Sequence, residues 1–325
     1  MGLYLRNTRK KASAGIEVRV MYDKIASASK LPKKYPKILE EKGIKCIPYH
    51  DTSSILGPIT SHLDHRKIII IDGQIAFTGG INIADECINI YSKYGHWKDN
   101  GLRIKGEAVW NFTVLFLNMW NSYQLPEEDN FTKYRNKNQS LKEEDGYVVP
   151  YGDTPLDNDT TGEDIYLNII NQANKYVYIF TPYLIINNNI MKSFKLAVKR
   201  GVDVRIIIPG IPDKKIVYTL SEAYAEQMIQ SGIKIYKYDP GFIHSKVFIS
   251  DDHIATVGTI NLDYRSLYFH FKCGVYLENI TCIQNIKKDL MNTIDKSHQV
   301  TVKEIQPKFI KSIFQTILKL FAPLM

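Results

Sequence analysis

Two parts of the chain carry the same succession of apolar and polar positions. Ala14-Gly15-Ile16-Glu17-Val18-Arg19-Val20 and Arg200-Gly201-Val202-Asp203-Val204-Arg205-Ile206 both read as a helix stopped by glycine and followed by an alternating, β-branched strand. Gly43-Ile44-Lys45 and Gly232-Ile233-Lys234 repeat the signal after a second helical stretch. A further strand follows in each part, then another that ends at Gly79-Gly80-Ile81-Asn82 or Gly258-Thr259-Ile260-Asn261. From His65, Asp72, Gly79 and Asn82 to their counterparts the offset is a constant 179 residues. This register predicts a duplicated unit and an α/β fold: two pseudo-twofold-related domains, each a mixed sheet flanked by helices.

Residues 1–124 form the first predicted domain and 146–302 the second. Between them, residues 125–145 are rich in charge and poor in aliphatic side chains, which predicts a polar linker. Lys175 to Phe180 reads as a strand that opens the second unit, and the first unit has no counterpart. Residues 303–325 predict a basic amphipathic helix between Pro307 and Pro323. Its apolar positions are Phe309, Ile310, Ile313, Phe314, Ile317, Leu318 and Phe321, with Lys308, Lys311, Gln315 and Lys319 opposite. Two placements are open for the apolar face: packed on the second unit, or docked on an anionic bilayer.

Composition narrows the partners. The 325 residues carry a formal charge of +8, which favours anionic partners such as phospholipid head groups, phosphorylated substrates or nucleic acid. Cys46, Cys87, Cys273 and Cys282 include no Cys-x-x-Cys pair and read as reduced thiols in a cytosolic setting. No apolar run reaches the length of a membrane span.

The chemistry sits on the repeated strands. His244 and Lys246 are two apart in Ile243-His244-Ser245-Lys246-Val247, so they share one face of a strand. His65 and Lys67 do the same before Ile68-Ile69-Ile70-Ile71. Asp72 before Gly73, and Asp251 before Asp252, complete two His-x-Lys-x4-Asp motifs, and these six residues form the candidate catalytic set. Packed about a pseudo-twofold, the units supply two imidazoles and two ammonium groups. One imidazole can attack phosphorus while the other protonates the leaving alkoxide, with the lysines on the phosphoryl oxygens. This chemistry needs no metal and no cofactor. His62 and His65 have metal-compatible spacing but lack an evident third ligand. Asn82 and Asn261 are supporting candidates, with a turn role as the alternative.

These motifs resemble the phospholipase D superfamily, and most closely its bacterial cardiolipin synthases. Tyr183 to Ile186, Tyr238 to His244 and Gly258 to Ser266 carry the likeness in the second unit. Phe77 to Asn82 and Gly95 to Asp99 carry it in the first. The resemblance implies a phospho-His intermediate and phosphatidyl transfer between two phosphatidylglycerol molecules with release of glycerol. It implies His65 as nucleophile and His244 as general acid. It also implies a cell-membrane location on the cytoplasmic face, with nucleic acid disfavoured as a partner. Two departures stand out. Relatives usually carry N-terminal membrane spans and an initial strand, so a truncated chain is expected. Relatives also read His-Phe-Glu-Cys-Gly where this chain has His270-Phe271-Lys272-Cys273-Gly274. That acid resembles one that orients an imidazole from the opposite half, with Asp99 in the equivalent place of the first unit. Lysine there reverses the charge beside the imidazole. A phospholipase-type hydrolase or nuclease, and a weakened lipid-binding pseudoenzyme, are the competing readings.

Overall fold

A computed structural model describes residues 2–50, 62–123, 131–135, 146–307 and 309–324. Most of the predicted linker therefore lies outside the described residues. The first half runs α1 (Gly2–Ser13), β1 (Arg19–Asp23), α2 (Tyr35–Glu40), β2 (Lys45–Tyr49), β3 (Ile68–Ile71), β4 (Ile75–Gly79), β5 (His96–Lys98), β6 (Gly101–Lys105) and α3 (Val109–Asn121). The second half opens with β7 (Tyr147–Asp153), α4 (Thr161–Gln172), β8 (Tyr176–Phe180), β9 (Leu184–Ile185), α5 (Asn188–Lys199), β10 (Asp203–Pro209), α6 (Lys215–Gln230) and β11 (Lys234–Tyr238). It continues with β12 (Gly241–Ile243), β13 (Val247–Ser250), β14 (Ile254–Gly258), β15 (Leu262–Asp263), β16 (Lys272–Glu278), α7 (Cys282–Ile294), β17 (Ser297–Gln299), α8 (Val302–Ile305) and α9 (Phe309–Leu320).

The second half is built on one eight-stranded mixed sheet, in the order β17-β11-β10-β8-β13-β14-β16-β7. β8, β10 and β11 are parallel, and the remaining ladders are antiparallel. Every residue of β8, β13 and β14 is buried, as expected of strands covered on both faces. One face packs against α4, α5 and α6 through Tyr166, Ile170, Phe194 and Met228. The other packs against α7 and also takes Ala76, Ile104, Val109 and Phe112 of the first half. The two halves therefore share one core, in which each fully buried large apolar side chain contributes roughly 1.5–3 kcal/mol.

The first half has the same strand pairings in two separate pieces. β1 and β2 are parallel, as β10 and β11 are. β3, β4 and β6 form an antiparallel sheet with the connectivity of β13, β14 and β16. In the second half β8 joins the two sets. Among the described residues no strand does this in the first half, at the place where the sequence lacks a counterpart to residues 175–180. Ile69 and Ile71 stay exposed while Ile68 and Ile70 turn into the shared core.

Candidate active site

Short parallel contacts between the halves bring the two motifs together. β12 of the second half pairs with β5 of the first, Gly241 opposite His96 and Ile243 opposite Lys98. The His244 backbone N–H then donates to the Lys98 carbonyl at 2.7 Å, which sets His244 beside the next residue, Asp99. Likewise Asp64 bridges Phe271, and the His65 N–H donates to the Phe271 carbonyl at 3.0 Å. Each histidine is thus held by the backbone residue immediately before its partner from the opposite half.

The partners occupy equivalent register positions. Gly79 faces Gly101 across β4 and β6, and Gly258 faces Gly274 across β14 and β16. Asp99 and Lys272 stand two residues before Gly101 and Gly274 respectively. Asp99 Oδ2 lies 2.7 Å from His244 Nδ1. Lys272 Nζ lies 3.2 Å from His65 Nδ1 and 3.2 Å from the Thr259 carbonyl oxygen. Lys67 Nζ also reaches His65 Nδ1, at 2.8 Å. Gly80 makes room for the acid: a Cβ there would stand 2.2 Å from Asp99 Oδ1.

The electrostatics follow from burial and a surplus of cations. His65 and Lys67 are partly open to solvent, whereas His244, Lys246 and Lys272 are buried. Burial, then the charges of Lys272, Lys67 and Lys246, holds His65 well below the ordinary imidazole range. Burial and Lys246 push His244 down to about 4, against the pull of Asp99. Burial opposes the charge of Asp99, but its bond to His244 and the nearby Lys246 keep it ionised. Lys246 is lowered to about 7 and Lys272 to about 8, burial being the main cause in both. Lys67 falls well below its usual range for the same reason. Such a cluster favours an anion, which would restore the charge on each of these groups.

Not every motif residue joins the cluster. Asp251 sits at the far end of the hairpin in the left-handed region, φ 52°. Its carboxylate accepts the backbone N–H groups of Asn174, Lys175 and Tyr176 at 2.7, 2.9 and 2.8 Å. Asp72 takes the matching turn position, φ 53°, and is exposed. Both lie at hairpin turns, a strand's length from the imidazoles and apart from the His and Lys members of the candidate set. Asn82 is half-buried, with its side chain on the Cys87 thiol. Asn261 is buried, donates to Asp263 at 2.7 Å, and leaves its Oδ1 without a partner among the described residues.

Two residues outside the sequence-based set belong to the site's surroundings. Asp263 is buried, and its charge supports both Lys246 and Lys272. Its place two residues after Asn261 is a usable signal, but the first half has Ala84 at the equivalent position. Trp97 lies with its ring 4.9 Å from that of His244, and its buried indole N–H has no partner among the described residues.

Comparison with known proteins agrees with this architecture. Residues 166–294 match the family of the cardiolipin synthase PLD-like domain. A cardiolipin synthase of Alkalihalophilus pseudofirmus is 32% identical over 97% of this chain and 63% of its own length. The chain belongs to the phospholipase D superfamily. Cardiolipin synthase 2 of Bacillus anthracis is 33% identical over 97% of this chain and 61% of its own length. The chain thus spans a little under two thirds of these superfamily members. An uncharacterized Streptococcus mutans protein is 44% identical over the whole chain and 70% of its own length. A crystal structure of phosphatidylserine synthase from Haemophilus influenzae has the same superfamily fold. It superposes with a TM-score of 0.70 at 16% identity, over 97% of this chain and 82% of that one.

Proposed function

We propose that this chain is a membrane-surface phosphatidyltransferase that joins two phosphatidylglycerol molecules into cardiolipin and releases glycerol. The convergence of His65, Lys67, His244 and Lys246 in one cation-rich cluster at the junction of the halves carries this reading. Relatives named as cardiolipin synthases, aligned over nearly the whole chain, support a phospholipid substrate. On this reading the protein works at the surface of the cell membrane, with the cytoplasmic face carried over from the family resemblance.

The hydrogen bonding favours a division of labour opposite to the one the family resemblance implies. Asp99 on Nδ1 fixes the His244 proton there and leaves a lone pair on Nε2, the tautomer of a nucleophile. Ammonium groups on His65 Nδ1 require its lone pair there and its proton on Nε2, the tautomer of a donor. His244 Nε2 attacks phosphorus, and the glycerol oxygen leaves with the proton of His65 Nε2. His65 Nδ1 takes a proton from Lys67, so the imidazole stays neutral. The hydroxyl of a second phosphatidylglycerol then attacks the phospho-His244 bond and returns its proton by the same route. Water in place of that hydroxyl would give hydrolysis. Lys272 favours a second reading, a weakened lipid-binding relative, because it suppresses positive charge on His65.

Purified chain with phosphatidylglycerol labelled in its phosphate separates these outcomes. Labelled cardiolipin supports transfer, labelled phosphatidic acid supports hydrolysis, and neither supports the weakened form. A p-nitrophenyl phosphodiester distinguishes the roles, since its leaving group needs no acid. His65→Ala is expected to keep the initial burst of p-nitrophenol within about tenfold of the parent, because only resolution of phospho-His244 then needs His65, while turnover of phosphatidylglycerol falls by about 10²–10⁴. His244→Ala is expected to lose both. The opposite pattern would return the nucleophile to His65.

A further inference from the structure

The C-terminal helix packs the wrong way round for a helix that only completes a core. At 100° per residue, Phe309, Ile313, Phe314, Ile317, Leu320 and Phe321 span an arc of about 140°. All six are exposed, Phe309 by 79% and Leu320 by 78%. The opposite side holds the helix down. Lys311 pairs with Glu222 at 2.7 Å, the buried Gln315 donates to the Thr219 carbonyl at 3.1 Å, and Leu318 and Ala322 pack on Leu220 and Ile185. The polar strip is therefore inside, and the apolar face is offered outward.

The face continues toward the candidate site. Tyr264, next to Asp263, packs against the same small apolar cluster that holds Leu318 and Ala322. The start of α6 exposes Lys214, Lys215 and Ile216. Just before it, the exposed Ile211 reaches Gly95, two residues from the Trp97 that lies against His244.

We infer that α9 seats the protein on an anionic bilayer, with its apolar face in the headgroup–acyl boundary and the lysines at the start of α6 among the lipid phosphates. This rests on the phosphatidyl-transfer reading for its purpose, because the reacting phosphodiester lies at headgroup depth. Three features select a bilayer over a second copy or a protein groove. The helix carries no acidic residue. Its broad apolar arc is flanked by Lys311 and Lys319 of the same helix, and the Glu222 beneath it is paired with Lys237 and Lys311, which suits an anionic interface. And the same surface leads to the cation-rich site, so one partner fits both.

The test is co-sedimentation of the full chain with phosphatidylglycerol vesicles and with phosphatidylcholine vesicles, against Ile313→Asp/Ile317→Asp. Both positions are exposed, and matched melting temperatures check the fold. Binding to phosphatidylglycerol vesicles is expected to weaken at least about tenfold in the variant. Lys214→Gln/Lys215→Gln is expected to reduce the preference for phosphatidylglycerol over phosphatidylcholine. Equal sedimentation of parent and Ile313→Asp/Ile317→Asp overturns the seat. So does a parent dimer in sedimentation velocity that the same variant converts to monomer, since a second copy would then be the occupant. Sedimentation needs no turnover, so a catalytically silent chain tests the seat equally and failure of the proposed activity is read separately.

Discussion

Lys272 Nζ stands 3.2 Å from His65 Nδ1, in the register position where the other half holds Asp99 at 2.7 Å from His244. One imidazole of the pair therefore faces a carboxylate and the other an ammonium. This asymmetry makes two similar motifs chemically unlike. It keeps His65 neutral, so His65 acts as a weaker acid than an imidazolium and draws its replacement proton from Lys67.

Replacing the cation tests that directly. Lys272→Glu is expected to raise phosphatidylglycerol turnover by about tenfold or more at neutral pH, since each pKa unit regained by His65 is worth about 1.4 kcal/mol. Parent and variant are compared at matched folded fractions by circular dichroism. An equally folded variant with no gain would show that Lys272 does not limit His65.

Asp99 is expected to matter through orientation. Asp99→Asn keeps the shape but allows the wrong tautomer of His244, and a loss of about 10³–10⁴ in kcat is expected by analogy with a triad aspartate. Gly80→Ala is expected to reproduce part of this loss, because its Cβ would stand 2.2 Å from Asp99 Oδ1. A Gly80→Ala enzyme with parental kcat would mean the carboxylate can leave without consequence.

Asp251 should behave in the opposite way. Its carboxylate receives three amides at the start of β8 and touches nothing in the cluster. Asp251→Asn tolerates the left-handed backbone yet weakens those bonds, at a cost of about 1–2 kcal/mol. Thermal unfolding should shift down while turnover per folded molecule stays unchanged. A selective loss of kcat at unchanged melting temperature would return Asp251 to the chemistry.

Much of this site is legible in the sequence because period-two strands leave little freedom. His244 and Lys246 must share a face, and the constant offset of 179 residues points to a matching partner face. What the motif's spacing does not say is which end of the strand meets the other half, and that is what separates Asp251 from the imidazoles. Trp97 and Asp263 lie in flanking segments whose approach depends on tertiary contacts. For α9, helical periodicity gives two faces but not which is covered. The outcome follows from Gln315 reaching the Thr219 carbonyl, Lys311 pairing with Glu222, and Leu318 and Ala322 packing beside Leu220. Among the described residues the first-half strands form two separate sheets, whereas β8 joins the equivalent sets in the second half.

Acid should weaken the fold through the same cluster. His244 is pushed down to about 4 and His270 to about 3, burial being the main cause in both, and His65 also lies well below its ordinary value. A histidine depressed in the folded state binds its proton only on unfolding. Between about pH 6.5 and 4 the unfolded chain therefore holds more protons, and stability falls as pH falls. Asp153, raised to about 6 by burial, opposes this by roughly one proton in the same window. The histidines outnumber it, so a net loss of about 1–3 kcal/mol per pH unit is expected below pH 6. Scanning calorimetry from pH 7 to pH 5 should show the melting temperature falling steadily. Inorganic phosphate should offset part of that fall in the parent, because an anion among His65, His244 and the lysines favours their protonated forms. His244→Ala should reduce the offset. If phosphate protects parent and His244→Ala equally at pH 5, the anion binds elsewhere and the cluster is not its site.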